Sequence, residues 1–174
     1  MAKPDMVKAY LMNPTFTIKL PRSLVNKLQV KARKLGLSFE EYVLELTLRD
    51  FDPTDGVREY IEIAKELLEQ SMEELEKGDV RQAAEKSWGA AALSIKAYAE
   101  WKDGERLRGH GDLWDYSKKL MEELGEWVSD AWAQAIAMHI CLYEGWCSKE
   151  HVQQALKRIS RFIEEISKRV QGVN

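Results

Sequence analysis

Polar and apolar residues alternate strictly through Thr15-Phe16-Thr17-Ile18-Lys19-Leu20, just before Pro21. That period of two predicts a half-buried strand, with Phe16, Ile18 and Leu20 on one face and Thr15, Thr17 and Lys19 on the other. Beyond Pro21 the period lengthens to three and four. Leu24, Leu28 and Ala32, flanked by Val25 and Leu35, predict a helix over 22–35 that Gly36 stops. Ser38 followed by Glu41 is a capping box opening a second helix over 39–51, with Phe39, Tyr42, Val43 and Leu46 apolar. Residues 1–13 lack periodicity and read as an arm.

From Asp52-Pro53 onward the pattern is helical throughout. Val57, Ile61, Ala64, Leu68 and Leu75 mark a helix over 54–77, and Val80, Ala84, Trp88, Ala91, Ile95, Tyr98 and Trp101 one over 80–101. A polar stretch with three glycines, 102–111, reads as a loop. A short helix capped by Asp112 then runs to about Leu124, followed by one near 126–146 and a last one capped by Ser148. The stripe of that last helix is Val152, Leu156, Ile159, Ile163, Ile166 and Val170. The fold class expected is mainly α: an arm (1–13), a strand-helix-helix module (14–51) and an up-down helical bundle (54–172).

Charge sharpens this division. The net charge of −3 divides into +4 over residues 1–50 and −7 over the rest, and residues 14–37 hold six basic residues and no acid. A basic block on an acidic chain points to a polyanionic partner. The two cysteines, Cys141 and Cys147, are too few for a disulfide scaffold. No signal peptide or membrane-spanning run is evident, so a soluble, cytoplasmic protein with no membrane partner is expected.

The stretch FTIKLPRSLVNKLQVKARKLGLSFEEYVLELTLRDF, Phe16 to Phe51, resembles the ribbon-helix-helix family. The resemblance implies a homodimer, at least, formed by pairing the 15–20 strand with its copy. It also implies DNA contacts from Thr15, Thr17 and Lys19 on the ribbon, and a phosphate held at the start of the second helix by Leu37 and Ser38. Lys27, Lys31 and Lys34 would add phosphate contacts. The outward threonines depart from the Arg, Gln or Asn that read base edges bidentately.

Further along, Arg106-Leu107-Arg108-Gly109-His110-Gly111-Asp112-Leu113-Trp114 resembles the start of the short helix in HEPN-type helical domains. The run Trp132-Ala133-Ala135, Met138-His139 and Leu142-Tyr143-Glu144-Gly145 is similar to the archaeal PaREP-type branch of that superfamily. Many HEPN domains are RNases with an Arg separated from a His by four to six residues. Here Arg106 precedes His110 by only three intervening residues, and His139 and His151 have no such Arg. The resemblance therefore implies the fold and not the nuclease.

Arg106, Arg108, His110 and Asp112 together would suit a phosphate-bearing ligand, but the favoured reading is ordinary loop polarity, with His110 bonding a backbone carbonyl and Asp112 acting as a cap. His139 falls on a buried stripe and reads as a satisfied core histidine. His139 and Cys141 are two apart on a helix and point about 200° apart, so no metal site is expected. Neither is a cofactor. The six tryptophans mostly fall on helical stripes, as core or interface. The function expected is that of a non-catalytic nucleic-acid binder, DNA before RNA, with the bundle adding self-association or partner binding. The alternatives are a purely self-associating scaffold and an RNase or toxin using a non-standard Arg106/His110 pair.

Overall fold

The computed structural model describes residues 17–49 and 53–172. Among them the secondary structure consists of seven helices: α1 (Arg22–Lys34), α2 (Phe39–Leu48), α3 (Pro53–Lys77), α4 (Val80–Asp103), α5 (His110–Leu124), α6 (Trp127–Glu144) and α7 (Lys149–Val170).

The expected strand is the main correction. Thr17 to Leu20 belong to no strand, while Thr15 and Phe16 lie outside the described residues. A strand is held by a partner edge, and no described segment of the chain supplies one. The backbone there is left to water, and Ile18 and Leu20, expected to be buried, are 79% and 41% exposed. The fold is all-helical, and the ribbon-helix-helix assignment falls with its ribbon.

The helical expectations hold at the level of local signals. Gly36 ends α1 with φ +72°, a left-handed conformation that side chains with a Cβ resist. The Ser38 hydroxyl accepts the Glu41 amide and the Glu41 carboxylate accepts the Ser38 amide, closing the capping box. Ser148 caps α7 in the same reciprocal way, with His151 in the third position.

α4 is the central helix. It is buried on all sides from Ala90 to Glu100 and packs against α3, α5, α6 and α7. Its alanines, with Gly89, Ser87 and Ser94, keep its girth small enough for four neighbours. A Cβ on Gly89 would lie 3.2 Å from Leu67 Cδ1, so α3 approaches closely at that point. α7 lays Val152, Leu156, Ile159, Ile163 and Ile166 into this core, together with Ala155 and Phe162. The two cysteines are joined as a disulfide with Cα atoms 5.7 Å apart, tying the end of α6 to the turn before α7. Arg81 donates from Nε to the Leu142 carbonyl at 2.9 Å, satisfying an orphan carbonyl at the same helix end.

Three of the six tryptophans depart from the core reading: Trp101, Trp114 and Trp146 are exposed, whereas Trp88 and Trp132 are buried. No helix of the described residues is long and apolar enough to cross a membrane.

α1 and α2 form a small core of their own from Ala32, Leu37 and Tyr42. The other side of α2 joins the bundle: Leu48 is part of the main core and Leu44 packs against it. Two polar links reinforce that seam. Lys96 of α4, 4% exposed, pairs with Glu45 of α2, and Trp88 of α4 donates to Glu41.

Candidate functional site

Two polar clusters flank the seam between α2 and the bundle. The first gathers around Glu41. One carboxylate oxygen, Oε2, accepts the Ser38 amide at 2.7 Å. The other, Oε1, accepts the Trp88 indole N–H at 3.0 Å and lies 3.8 Å from His110 Nε2, too far for a hydrogen bond. Burial alone would raise the Glu41 pKa. The facing His110 imidazole, the Ser38 amide and the Trp88 indole outweigh that and bring it down to about 2.

His139 of α6 meets the same cluster, its ring 4.6 Å from that of His110 and 4.7 Å from that of Trp88. It differs from the expected satisfied core histidine, because its Nδ1 is buried with no hydrogen-bond partner among the described residues, as is His110 Nε2. Burial, and after it the neighbouring His110, hold the His139 pKa below its ordinary value, which favours the neutral ring. Beside these rings is a cavity of about 240 Å³ whose wall includes Glu41, Trp88, His139 and Glu85. Glu85 is held above the usual carboxylate range by burial and by the nearby Glu40.

The second cluster is cationic and lies at the other end of the seam. Arg106 donates from Nε to Glu100 Oε1 at 2.9 Å, and Glu100 is 8% exposed. Arg106, Arg108 and Arg49 line a cavity of about 360 Å³ with Tyr60, Leu48 and Leu107; Glu45 is also in its wall. The Tyr60 hydroxyl is kept protonated by burial first, then by the charges of Glu45 and Glu100.

The residues singled out in the sequence divide between these features. Arg106 and Arg108 share the cationic cavity. His110 does not join them: it turns to Glu41 and His139, so Arg106 and His110 have different partners. Asp112 is not the N-cap expected: the helix begins at His110 with Gly109 in the cap position, and Asp112, in its first turn, accepts the Arg108 amide at 2.7 Å. The amides at Leu37 and Ser38, expected to hold a phosphate, are already bonded, to the Ala32 carbonyl at 3.0 Å and to Glu41 at 2.7 Å. Lys27, Lys31 and Lys34 lie along one exposed side of α1, at steps of four and three, and none is ion-paired among the described residues. Thr17 and Lys19 are exposed in the extended segment before α1, and Thr15 lies outside the described residues.

One contact joins the basic helix to the arginine loop. A Cβ placed on Gly109 would stand 3.1 Å from the Leu35 carbonyl oxygen, so the loop rests on the C-terminal end of α1. Arg108, adjacent to Gly109, thereby comes next to the helix end that carries Arg33 and Lys34. Sequence reasoning treated the two basic segments separately; a glycine before His110 was the only trace of the close approach. It also missed Glu41 as a site residue, because the capping box accounted for it fully.

No curated protein and no solved structure is similar enough to match this chain. A family model does match, over residues 59–163, which takes in α4, α5, α6 and both histidines of the seam but not Glu41. The chain belongs to the archaeal PaREP1/PaREP8 family.

Proposed function

We propose that this chain binds nucleic acid through a basic surface that runs from the Lys27, Lys31 and Lys34 side of α1 to the Arg106–Arg108 loop. The observation that supports the reading is the approach of Gly109 to the Leu35 carbonyl, which sets the arginine loop against the end of the basic helix. Lys27, Lys31, Lys34 and Arg108, exposed cations without ion-pair partners among the described residues, suit phosphates, because each phosphate neutralised releases condensed counterions. The ribbon no longer contributes, so this reading names no base-specific contacts and gives DNA no advantage over RNA. The resemblance of the bundle to HEPN domains, which commonly act on RNA, makes single-stranded RNA a natural second polymer to test.

The experiment is fluorescence anisotropy of duplex DNA and single-stranded RNA against the full chain at several salt concentrations. Binding should weaken steeply with salt, and the triple change Lys27→Glu, Lys31→Glu, Lys34→Glu should abolish most of it while leaving the helical content unchanged. Absent binding at low salt, or binding insensitive to the triple change, refutes the proposal.

A self-associating scaffold is the second reading, favoured by the exposure of Ile18, Leu20, Leu24 and Leu35. Sedimentation analysis separates the two: the scaffold reading requires a stable oligomer with no polymer affinity.

A further inference from the structure

We propose that the cavity formed by the end of α2, by Tyr60 of α3 and by the 106–108 loop binds a phosphate monoester, such as the terminal phosphate of a strand or a free nucleotide. The inference deepens the nucleic-acid reading and rests on it only for the first of those two sources.

Three features make this an anion site rather than a cluster of surface arginines. First, Arg106 is anchored. Its Nε is bonded to the buried Glu100, and its terminal nitrogens have no hydrogen-bond partner among the described residues. A guanidinium held by one edge presents the other in a fixed orientation, which reduces the entropy lost when a ligand is gripped. Second, among the described residues the acids near the cavity are already matched. Glu100 is taken by Arg106 and Glu45 by the buried Lys96, which leaves the charge of Arg49 and Arg108 without an ion-pair partner among the described residues. Of the acids that flank Arg108 in sequence, Glu105 pairs with Lys119 and Asp112 is committed to the Arg108 backbone amide. Third, Tyr60 adds a neutral hydroxyl donor, and Leu48 and Leu107, 5% and 3% exposed, give the cavity an apolar side.

The donor set favours a monoester over the diester of a continuous strand. A diester carries one negative charge on two non-bridging oxygens, which a single guanidinium fork satisfies. A monoester carries close to two charges on three terminal oxygens, and three arginines with a phenol answer that demand. The volume of about 360 Å³ leaves room for the sugar attached to the phosphate.

The test compares one short oligonucleotide labelled internally and carrying a 5′-phosphate, a 3′-phosphate or hydroxyls at both ends, with AMP and inorganic phosphate as competitors. One phosphorylated end should bind about tenfold tighter than the hydroxyl form, the gain of one to two charge-assisted hydrogen bonds. AMP should compete that preference away. Arg49→Gln, at an exposed position outside the basic surface, should erase the preference and keep the hydroxyl baseline, whereas Arg108→Gln, which also removes a charge from that surface, should erase the preference and lower the baseline. Arg106→Gln should act likewise, but it strips Glu100 of its partner, so the two exposed variants decide if it unfolds. Lys27→Glu with Lys31→Glu and Lys34→Glu should weaken all three oligonucleotides together. AMP binding with no oligonucleotide binding upholds the cavity and removes the nucleic-acid reading. Equal oligonucleotide binding, with no AMP or phosphate binding, overturns the cavity and leaves that reading intact.

Discussion

The indole N–H of Trp88 donates to Glu41 Oε1 at 3.0 Å, linking the central helix of the bundle to the side chain that caps α2. Glu41 thus serves local and long-range structure at once, one oxygen for each. Its removal has a correspondingly composite cost. Glu41→Ala frees the Ser38 amide and the Trp88 indole. The expected loss is roughly 2–3 kcal/mol, the cost of leaving part-buried donors unpaired. Trp88→Phe removes only one of those bonds and little volume, and should cost about half as much from hydrogen bonding. Midpoints of urea unfolding measure both. An Ala variant as stable as the parent would show that the seam is held by Leu44, Leu48 and the Lys96–Glu45 pair without Glu41.

The same cluster fixes an acid-side dependence of stability. Glu41 titrates near 2 in the folded chain against an ordinary 4.5. A carboxylate depressed on folding stabilises above its unfolded value and loses that contribution as pH falls from 4.5 towards 2. The shift is worth on the order of 3 kcal/mol. His139 acts earlier and in the same direction: its folded pKa lies below 6.5, so protonation of the unfolded chain erodes stability as pH drops below that value. The other charged or titrating groups around this pair are His110, Glu40, Glu85 and Tyr143. Urea midpoints from pH 8 to pH 2 should fall in two stages. Glu41→Gln should flatten the lower stage only, and His139→Gln the upper. A single transition untouched by either variant would refute the assignment.

Cys141 and Cys147, six positions apart, close a short loop around Gly145. Chain-entropy arguments give so short a loop about 2 kcal/mol. Thermal unfolding with and without reductant should differ by several degrees in Tm, and Cys147→Ser should match the reduced parent. The effect should be confined to the α6–α7 turn, since Arg81 holds the Leu142 carbonyl independently of the disulfide. Loss of α6 helicity on reduction would contradict that division.

Much of this architecture was legible because its signals are local. Gly36, the Ser38–Glu41 box, the Ser148 cap and the step-of-three-and-four stripe of α7 each lie within a turn or two of what they determine. The errors come where a residue answers to distant partners. The 15–20 alternation is sound strand grammar, but a strand is a property of two edges and the sequence displays one. In α4 the stripe Trp88, Ala91, Ile95 was real, yet alanine does not mark a face, so burial on every side was hidden. His139 shares a stripe with Trp132 and Ala135, which made it core by pattern. Its unpaired Nδ1 depends on His110 and Trp88, which no spacing rule brings beside it. The arginines at 106 and 108 were recognisable as phosphate chemistry, whereas Arg49 and Tyr60, their cavity neighbours, gave no local signal at all.

Gly109 offers a test of the joined basic surface that changes no charge. Its backbone is extended, with φ −157°, so an alanine is conformationally acceptable there. What alanine meets is steric: its Cβ would stand 3.1 Å from the Leu35 carbonyl, a backbone atom that cannot swing aside like a side chain. The loop must move off the end of α1 by a few tenths of an ångström, at an expected cost of about 1 kcal/mol. If the polymer spans α1 and the loop together, that displacement misaligns two sets of phosphate contacts and affinity should fall severalfold, with the salt dependence reduced. If each basic segment binds alone, Gly109→Ala lowers the Tm and leaves the salt slope where it was. Measuring slope and Tm on the same preparation separates these outcomes, because loss of folded protein reduces the active fraction without altering the number of phosphates each folded molecule neutralises.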